Sequence, residues 1–344
     1  MKHDPSDTTV LVTGASGFIA THCIAQLLDR GYRVRGTLRT PSREAAIRTA
    51  VETQTDPGDR LSFCIADLTS DDGWAAAVRG CTYILHVASP FPRELPEHED
   101  DLIVPAREGA LRVLRAAADA GVERVVMTSS LAAVVYGHGK SDRIFDESDW
   151  SVAENCSPYP KSKTLAERAA WDFIESLPGD KKMELAVINP GVVLGPVLEK
   201  DYGTSGEVVR KLMKREMPGC ADVGWAPVDV RDVAGAHIAA MVTPAAAGKR
   251  FCCALDHVSL QDIAKVLETN FASRGYRIPT RVLPNFLVRI AAIFDKTIRV
   301  IVPELGKKER ISSARIRKEL DWQPRSFEEM VVAMGDSMIE HGIV

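Results

Sequence analysis

The amino-acid sequence predicts an α/β protein built on a doubly wound parallel sheet, with a smaller C-terminal region. The first observation is that short β-branched runs alternate with longer helical patterns through the first half of the 344 residues. The second is a glycine-rich turn between the first predicted strand and the first predicted helix. The third is that the alternation stops after Pro190, where glycine and proline become frequent. Since parallel strands of such a sheet end at one edge, we expect a ligand-binding site there.

Six short apolar runs are predicted as strands, and five helical patterns lie between them. The strands cover residues 9–12, 32–38, 61–66, 83–87, 124–129 and 184–189. The helices cover residues 18–30, 42–53, 72–79, 104–120 and 161–176. Because a helical crossover separates successive strands, we expect the strands to be parallel.

The second half of the chain has a different pattern. An apolar segment at 226–230 is followed by helices predicted at 260–273, 285–294, 312–320 and 327–341. The apolar run at 283–302 is interrupted by Arg289, Asp295, Lys296 and Arg299. This spacing favours an amphipathic helix facing the core or an interface over a membrane span.

The composition argues against several classes of partner. The chain is 45% apolar and 26% charged with a net charge of -4, so it has no basic excess for nucleic acid or an anionic membrane. Its seven cysteines form no Cys-x-x-Cys pair and no Cys/His cluster at zinc spacing, so no metal is expected. The polar N-terminal residues 1–9 do not resemble a signal peptide. We therefore expect a cytoplasmic protein with reduced thiols and a small-molecule partner.

The first predicted strand runs directly into a Gly-x-x-Gly-x-x-Ala turn that opens a helix. Gly14 permits the tight turn, Gly17 lets backbone N–H groups approach a pyrophosphate, and the small Ala20 lets the helix pack closely. The N-terminus of the helix favours an anion. The pattern predicts a Rossmann-type dinucleotide-binding domain.

The end of the second predicted strand indicates which dinucleotide binds. NAD enzymes usually place a carboxylate there for the ribose 2′-hydroxyl, whereas this strand ends near Arg39 and Arg43. A guanidinium matches a phosphate bidentately, so NADP(H) is favoured over NAD(H). The alternative is that these arginines only solvate the start of a helix.

Further cofactor contacts are expected at the ends of the third and fourth strands. Asp67 can accept a hydrogen bond from the adenine amino group while an N–H near Leu68 meets a ring nitrogen; alternatively, Asp67 is a helix N-cap before Ser70. After the fourth strand, small residues leave room for the ribose and nicotinamide, and the candidates are Val87, Ala88 and Ser89.

Two residues four positions apart predict the chemistry. Tyr159 and Lys163 project from one face of the predicted helix. We expect the ammonium to lower the pKa of the phenol, so that Tyr159 can donate a proton to a carbonyl oxygen. The fifth strand ends in Ser129 and Ser130, of which only one can face this site because adjacent strand residues point to opposite faces.

Taken together, these motifs resemble the extended short-chain dehydrogenases/reductases, and within them the dihydroflavonol 4-reductase-like branch with its microbial aldehyde and carbonyl reductases. The resemblance covers nearly the whole chain, and the matching segments are 13–20, 128–130, 159–163, 189–196, 228–234 and 322–324. It implies a catalytic triad of Ser130, Tyr159 and Lys163. It also implies NADPH-dependent, reversible reduction of an aldehyde or ketone.

The resemblance extends the set of expected cofactor contacts. It assigns the turn, the arginines and the segment after the sixth strand to the dinucleotide. The full set of expected contacts is Gly14, Ser16, Gly17, Phe18, Ile19, Arg39, Arg43, Asp67, Leu68, Val87, Ala88, Ser89, Thr128, Tyr159, Lys163, Pro190, Gly191, Val192, Val193 and Ser205. Aromatic candidates for substrate contact are Tyr136, Tyr202 and Trp225.

Residues 1–190 are expected to form the NADP-binding Rossmann domain, and residues 191–344 mostly the substrate-binding region. A segment near 226–244 is expected to return to the Rossmann domain. The resemblance allows a monomer or a homodimer.

Three other activities suit parts of this pattern. One is a 3β-hydroxysteroid dehydrogenase-like oxidoreductase, and another is a nucleotide-sugar epimerase or dehydratase. The latter is disfavoured because Ser129, Ser130 and Leu131 supply no acid pair, and because Val192 replaces an asparagine typical of epimerases. The third is an NADP-sensing regulator without turnover, which the intact triad opposes.

Overall fold

The computed structural model describes residues 3–89, 98–139, 142–179 and 182–344. Its central feature is a parallel sheet of seven strands in the order β11-β7-β5-β4-β1-β2-β3. These strands are β1 Thr9–Val12, β2 Arg33–Leu38, β3 Leu61–Ile65, β4 Tyr83–His86, β5 Arg124–Thr128, β7 Glu184–Pro190 and β11 Lys249–Cys253. The chain winds outward from β1 to β3 and then crosses to β4. The order therefore reverses between β1 and β4, where ligands bind in such sheets.

Helices cover both faces of this sheet, which confirms the predicted doubly wound fold. The helices of the first half are α1 Phe18–Asp29, α2 Glu44–Glu52, α3 Trp74–Val78, α4 Asp100–Asp119 and α5 Pro158–Ser176. Alternate residues of β1 face opposite layers: Val10 and Val12 pack in the cluster that contains α1, and Leu11 packs in the cluster that contains α4. Burial on both faces explains why these strands are continuous apolar runs.

Six short strands lie outside the central sheet, and seven further helices follow α5 among the described residues. The strands are β6 Ile144–Phe145, β8 Val192–Leu194, β9 Gly224–Trp225, β10 Pro227–Asp229, β12 Val258–Ser259 and β13 Arg310–Ile311. The helices are α6 Gly203–Met213, α7 Val230–Val242, α8 Leu260–Phe271, α9 Asn285–Phe294, α10 Lys296–Ile301, α11 Ala314–Glu319 and α12 Phe327–Glu340. β8 pairs with β10, and β13 pairs with β6. These pairings tie the C-terminal region to loops at the carboxyl edge of the sheet.

The seventh strand of the sheet was not predicted from the sequence. β11 lies parallel to β7, and Phe251 within it is fully buried. Helix α7, which lies inside the segment 226–244, packs against α1, and the Gln26 side chain donates to the Arg231 carbonyl at 2.7 Å. The central sheet therefore includes residues as far along the chain as Cys253.

Helix α5 begins three residues before its predicted start. Pro158 occupies its first turn, and Pro160 follows within that turn. The N–H groups of a first turn have no intrahelical acceptor, so proline costs no hydrogen bond there. The earlier start places Tyr159 inside the helix, on which its shared face with Lys163 was predicted.

Helix α9 has the predicted bounds but does not face the core with most of its apolar side chains. Only Val288 and Ala292 are buried, whereas Phe286, Ile293 and Phe294 are 62%, 67% and 86% exposed. The core-facing alternative therefore applies to Val288 and Ala292 only, and the interface alternative stays a prediction for the exposed face. Within the described ranges, we find no helix with the length and apolarity that crossing a membrane requires.

Candidate active site

The glycine turn is held rigidly between β1 and the loop after β4. Gly14 has φ +64°, and a Cβ added there would lie 2.9 Å from the Ala88 Cβ. Its N–H donates to the Thr37 hydroxyl at 2.9 Å, and the Gly17 N–H donates to the Gly14 carbonyl at 2.8 Å. Both the left-handed conformation and the close approach require glycine at position 14.

Helix α1 begins directly after this turn. Its N-cap, Gly17, supplies no side-chain cap, and Ser16 and Ile19 are partly exposed. N–H groups of such a helix start can bind an anion. The first turn also packs on α6, because a Cβ at Gly203 would lie 3.3 Å from the Phe18 ring. This contact brings Ser205, two residues further along α6, into the neighbourhood of the turn.

Thr13 connects the ends of β1 and β4. Its hydroxyl lies 3.0 Å from His86 Nδ1 and accepts from the Ala88 N–H at 3.0 Å. Burial, together with the positive charge of Lys163, lowers the pKa of His86 to about 4. The histidine is therefore neutral at physiological pH, and it has a structural part in positioning the loop of Val87, Ala88 and Ser89.

The two predicted arginines have different surroundings. Arg39 is exposed immediately after β2, and its charge helps to lower the pKa of Asp67. Arg43 donates to Glu199 at 2.5 Å, so its guanidinium already has a carboxylate partner. Of the two, Arg39 is the more available for a phosphate.

Asp67 closes a turn after β3. Its carboxylate accepts from the N–H and from the hydroxyl of Thr69, both at 2.8 Å, and these bonds are the main reason that its pKa is lowered. This resembles the capping alternative, although α3 begins only at Trp74. The neighbouring Leu68 packs against Gly109, where an added Cβ would lie 3.1 Å from the leucine Cβ.

The structure brings Ser130, Tyr159 and Lys163 together. The hydroxyl of Ser130 hydrogen-bonds with the phenol of Tyr159, and Lys163 Nζ lies 5.9 Å from the centroid of the Tyr159 ring. Ser130 also accepts from the Ala132 N–H at 3.1 Å, which caps a single 3-10 turn. These contacts fix a hydroxyl, a phenol and an ammonium in one partly buried place.

Burial is the main cause of the pKa shifts of Tyr159 and Lys163, which both lie on α5. It raises the pKa of Tyr159, and the Ser130 hydrogen bond opposes that rise. It lowers the pKa of Lys163 to about 8, and the Glu167 carboxylate opposes that fall. The expected lowering of the Tyr159 pKa is therefore not found in this structure, because burial raises the pKa more than the Ser130 hydrogen bond lowers it.

Thr128 has a side chain directed toward α7. Its hydroxyl lies 2.6 Å from His237 Nε2, and His237 Nδ1 lies 2.8 Å from the Val233 carbonyl. Because a carbonyl can only accept, Nδ1 carries the proton and Thr128 donates to Nε2. The hydroxyl of Thr128 is thus engaged by His237, although it was predicted among the cofactor contacts.

A buried ionic network under the site was missed by sequence reasoning. Glu167, fully buried, accepts from Arg250 Nε at 2.5 Å, from the Ser129 hydroxyl at 2.5 Å and from Asn189 Nδ2 at 2.8 Å. The guanidinium of Arg250 also lies over the ring of Trp150, 3.7 Å from its centroid. Ser129 is therefore a member of this network, whereas its neighbour Ser130 faces Tyr159. The only sequence signal was the position of Glu167 four residues after Lys163.

The segment after β7 packs tightly against β10 and its neighbours. A Cβ at Gly191 would lie 1.9 Å from the Ala226 carbonyl oxygen, and the Val192 N–H donates to that oxygen at 3.0 Å. Pro190 is buried, Val192 is partly exposed and Val193 is buried in β8. Glycine at 191 is thus required by packing, which fixes the backbone beside the predicted nicotinamide position.

Two of the aromatic candidates for substrate contact, Tyr202 and Trp225, have different surroundings. The Tyr202 hydroxyl donates to Glu207 at 2.9 Å, whereas Trp225 is partly exposed in β9. Tyr136 is electrostatically coupled to Tyr159 and hydrogen-bonded to Glu309. Glu309 was not predicted, because an isolated Lys-Lys-Glu-Arg segment has the appearance of a solvated loop.

Comparison with known proteins now identifies the family. The sequence profile of the NAD dependent epimerase/dehydratase family matches residues 10–254. The chain belongs to this family. It is 36% identical over 282 residues to cinnamoyl-CoA reductase 1 of Arabidopsis thaliana, an alignment that covers 80% of this chain and 78% of that enzyme.

Solved structures show the same relationship over the whole chain. The yeast methylglyoxal/isovaleraldehyde reductase Gre2, complexed with NADPH, has a TM-score of 0.81 and 27% identity, covering 98% of this chain and 100% of that one. Gre2 of Candida albicans in its NADPH complex has a TM-score of 0.81 and 28% identity, covering 97% and 99%. The predicted dihydroflavonol 4-reductase-like branch of the extended short-chain dehydrogenases/reductases is confirmed, and with it the oxidoreductase class.

Proposed function

We propose that this oxidoreductase uses NADPH to reduce an aldehyde or a ketone to an alcohol. The observation that carries the proposal is the hydrogen bond of Ser130 to Tyr159, on the partly buried face of α5 that also presents Lys163. A hydroxyl, a phenol and an ammonium in one place can bind a carbonyl oxygen and deliver a proton to it. The NADPH held by similar reductases supports the choice of cofactor.

The residues at the switch between β1 and β4 fit a dinucleotide. Gly14 approaches Ala88 closely, and Gly191 approaches Ala226 closely, so neither position has room for a side chain. The edge of the sheet therefore presents backbone without side chains at these two positions. We propose that the α1 N-terminus holds the pyrophosphate, Arg39 the 2′-phosphate, and the loop at 87–89 with the segment 190–193 the nicotinamide end. When bound, NADPH supplies a hydride.

The protein groups then act on the carbonyl oxygen. Ser130 positions that oxygen by donating a hydrogen bond, and Tyr159, whose raised pKa keeps the phenol protonated, is the general acid. As the proton leaves the phenol, the ammonium of Lys163 stabilises the phenolate. With an alcohol as substrate the same groups act in reverse, and Tyr159 receives the proton.

A cofactor and substrate panel tests the proposal. Loss of absorbance at 340 nm would be followed with purified protein, NADPH or NADH, and aldehydes, ketones, a sterol and a nucleotide sugar. We expect oxidation of NADPH with an aldehyde or a ketone. Turnover confined to the sterol would favour a 3β-hydroxysteroid dehydrogenase-like activity. No NADPH oxidation with any carbonyl compound, despite binding of NADP, would favour an epimerase, a dehydratase or a sensor.

A further inference from the structure

The chain between β8 and α6 passes beside the starts of two helices. Glu199 Oε1 accepts from Arg43 Nη2 at 2.5 Å, and Arg43 immediately precedes α2. Four residues later, Gly203 begins α6 against α1, because a Cβ added there would lie 3.3 Å from the Phe18 ring. Residues 199–203 therefore extend from the start of α2 to the first turn of α1.

This path follows one side of the proposed dinucleotide site. The proposed 2′-phosphate ligand, Arg39, lies between β2 and α2, and the proposed pyrophosphate site is the N-terminus of α1. Because β1 and β2 are parallel neighbours in the sheet, both positions lie at the same edge. Residues 199–203 therefore border the adenosine half of the proposed site.

Both sides of this segment are anchored by other contacts. Before it, the Val197 N–H donates to the Ser337 hydroxyl of α12 at 2.9 Å. After it, a Cβ added at Gly206 would lie 3.1 Å from a methionine side chain of the same helix. Since Glu199 lies between these anchors, its ion pair with Arg43 determines how closely the middle of the segment approaches α2.

The ion pair lies in a partly buried environment. The side chain of Glu199 is 13% exposed and that of Arg43 is 44% exposed. Burial raises the pKa of Glu199, and the charge and hydrogen bond of Arg43 oppose that rise. A carboxylate removed from water is costly without a partner, so Arg43 stabilises the segment in its present position.

We propose that Arg43 and Glu199 control access to the dinucleotide site: their ion pair holds residues 199–203 against α2, and it opens when the cofactor enters or leaves. The inference rests on the dinucleotide site of the proposed function and names what regulates cofactor exchange there. It assigns Arg43 to this ion pair and leaves the 2′-phosphate to Arg39. Since the pair joins two protein groups, it slows entry and release equally and leaves Kd unchanged.

Stopped-flow binding tests this proposal without requiring turnover. Energy transfer from the tryptophans to the reduced nicotinamide would give the association rate constants of NADPH and NADH, and displacement by excess oxidised cofactor would give the dissociation rate constants. The variants are Arg43→Met, Glu199→Gln and the two combined. Lys200→Gln, an exposed neutralisation in the same segment, is the control, and Arg39→Met is the comparison for a phosphate ligand.

We expect Arg43→Met and Glu199→Gln each to raise both rate constants about 5-fold, the upper end for a partly exposed ion pair. The increase should be equal for NADPH and NADH, because the 2′-phosphate takes no part in it, and Kd should stay within about 2-fold. The double variant should match the single ones, because each removes the same pair. Arg39→Met should instead weaken the binding of NADPH alone, and Lys200→Gln should change neither rate constant.

Three results would overturn the proposal. Rate constants that neither Arg43→Met nor Glu199→Gln changes would exclude control of access by this pair. A higher Kd for NADPH but not for NADH in Arg43→Met, with Glu199→Gln equal to the wild type, would assign Arg43 to the 2′-phosphate. Effects that multiply in the double variant would show that the two residues act separately.

The outcomes also separate this inference from the proposed function. Faster exchange of both dinucleotides, without NADPH oxidation by any carbonyl compound, would support the control of access and refute the reductase. Absence of dinucleotide binding would overturn both. Thermal unfolding of each variant identifies a loss of fold, and Glu199→Gln, which keeps the shape of the side chain, keeps the test decisive if Arg43→Met fails to fold.

Discussion

The buried Glu167–Arg250 pair provides a quantitative test of how the site is held. We consider Glu167→Gln, which keeps the shape of the side chain and removes its charge. The glutamine can still accept from Ser129, but Arg250, only 7% exposed, loses its ionic partner. Breaking a buried pair from one side costs about 3–5 kcal/mol. We expect the lower end, about 3 kcal/mol, because Arg250 keeps the Asp149 carbonyl as an acceptor at 2.6 Å.

The expected change in melting temperature follows from the length of the chain. At about 2.1 cal/mol/K per residue, 344 residues give an unfolding entropy of about 0.7 kcal/mol/K. A loss of about 3 kcal/mol then lowers Tm by about 4 °C. Urea unfolding followed by circular dichroism would give the free energy, and Glu175→Gln, an exposed change on the same helix, is the control.

The same variant has a second consequence at the catalytic lysine. Because the Glu167 carboxylate raises the pKa of Lys163, its removal should lower that pKa further below about 8. The alkaline fall in kcat/KM should then begin at a lower pH than in the wild type. A free energy of unfolding within 1 kcal/mol of the wild type, with an unshifted alkaline limb, would refute the reasoning about this network.

The remaining predictions concern the cofactor, a buried hydroxyl and pH. Arg39→Asp should shift the ratio of kcat/KM values from NADPH toward NADH, and an unchanged ratio would remove Arg39 from the phosphate site. Thr128→Val leaves the buried His237 Nε2 without its donor, so the free energy of unfolding should fall by about 1–3 kcal/mol. The exposed change Thr40→Val is the control and should have little effect, and equal losses in the two variants would contradict this prediction. For the wild type, kcat/KM of carbonyl reduction should fall as the pH rises through about 8, where Lys163 loses its proton, and a flat profile to pH 10 would count against its charge.

Local signals were sufficient to predict the first half of the fold. The βαβ rhythm and the glycine turn are encoded in contiguous residues, so β1 has its predicted bounds and the order of strands and helices is as expected. β11 was missed because residues 249–253 begin with Lys249 and Arg250 and contain no β-branched residue. Its strand conformation depends on pairing with β7, which lies about sixty residues earlier in the chain.

The candidate site was predictable only where neighbours in sequence are neighbours in space. The spacing of Tyr159 and Lys163 on one helix indicated their shared face, and the structure adds the hydrogen bond to Ser130. The partners of Glu167, namely Asn189, Ser129 and Arg250, lie 22, 38 and 83 residues away in the chain. No sequence pattern predicts such contacts, and the rise of the Tyr159 pKa through burial also depends on the folded environment.

The proton-donating role of Tyr159 is the central claim, and Tyr159→Phe tests it most directly. Removal of the phenolic hydroxyl leaves the ring and the glycine turn in place, so NADPH should bind with an affinity near that of the wild type. Carbonyl reduction, measured as NADPH oxidation at 340 nm, should fall about 10²–10⁴-fold, the contribution of a positioned general acid. Activity within a few-fold of the wild type, with NADPH bound equally well, would contradict the account.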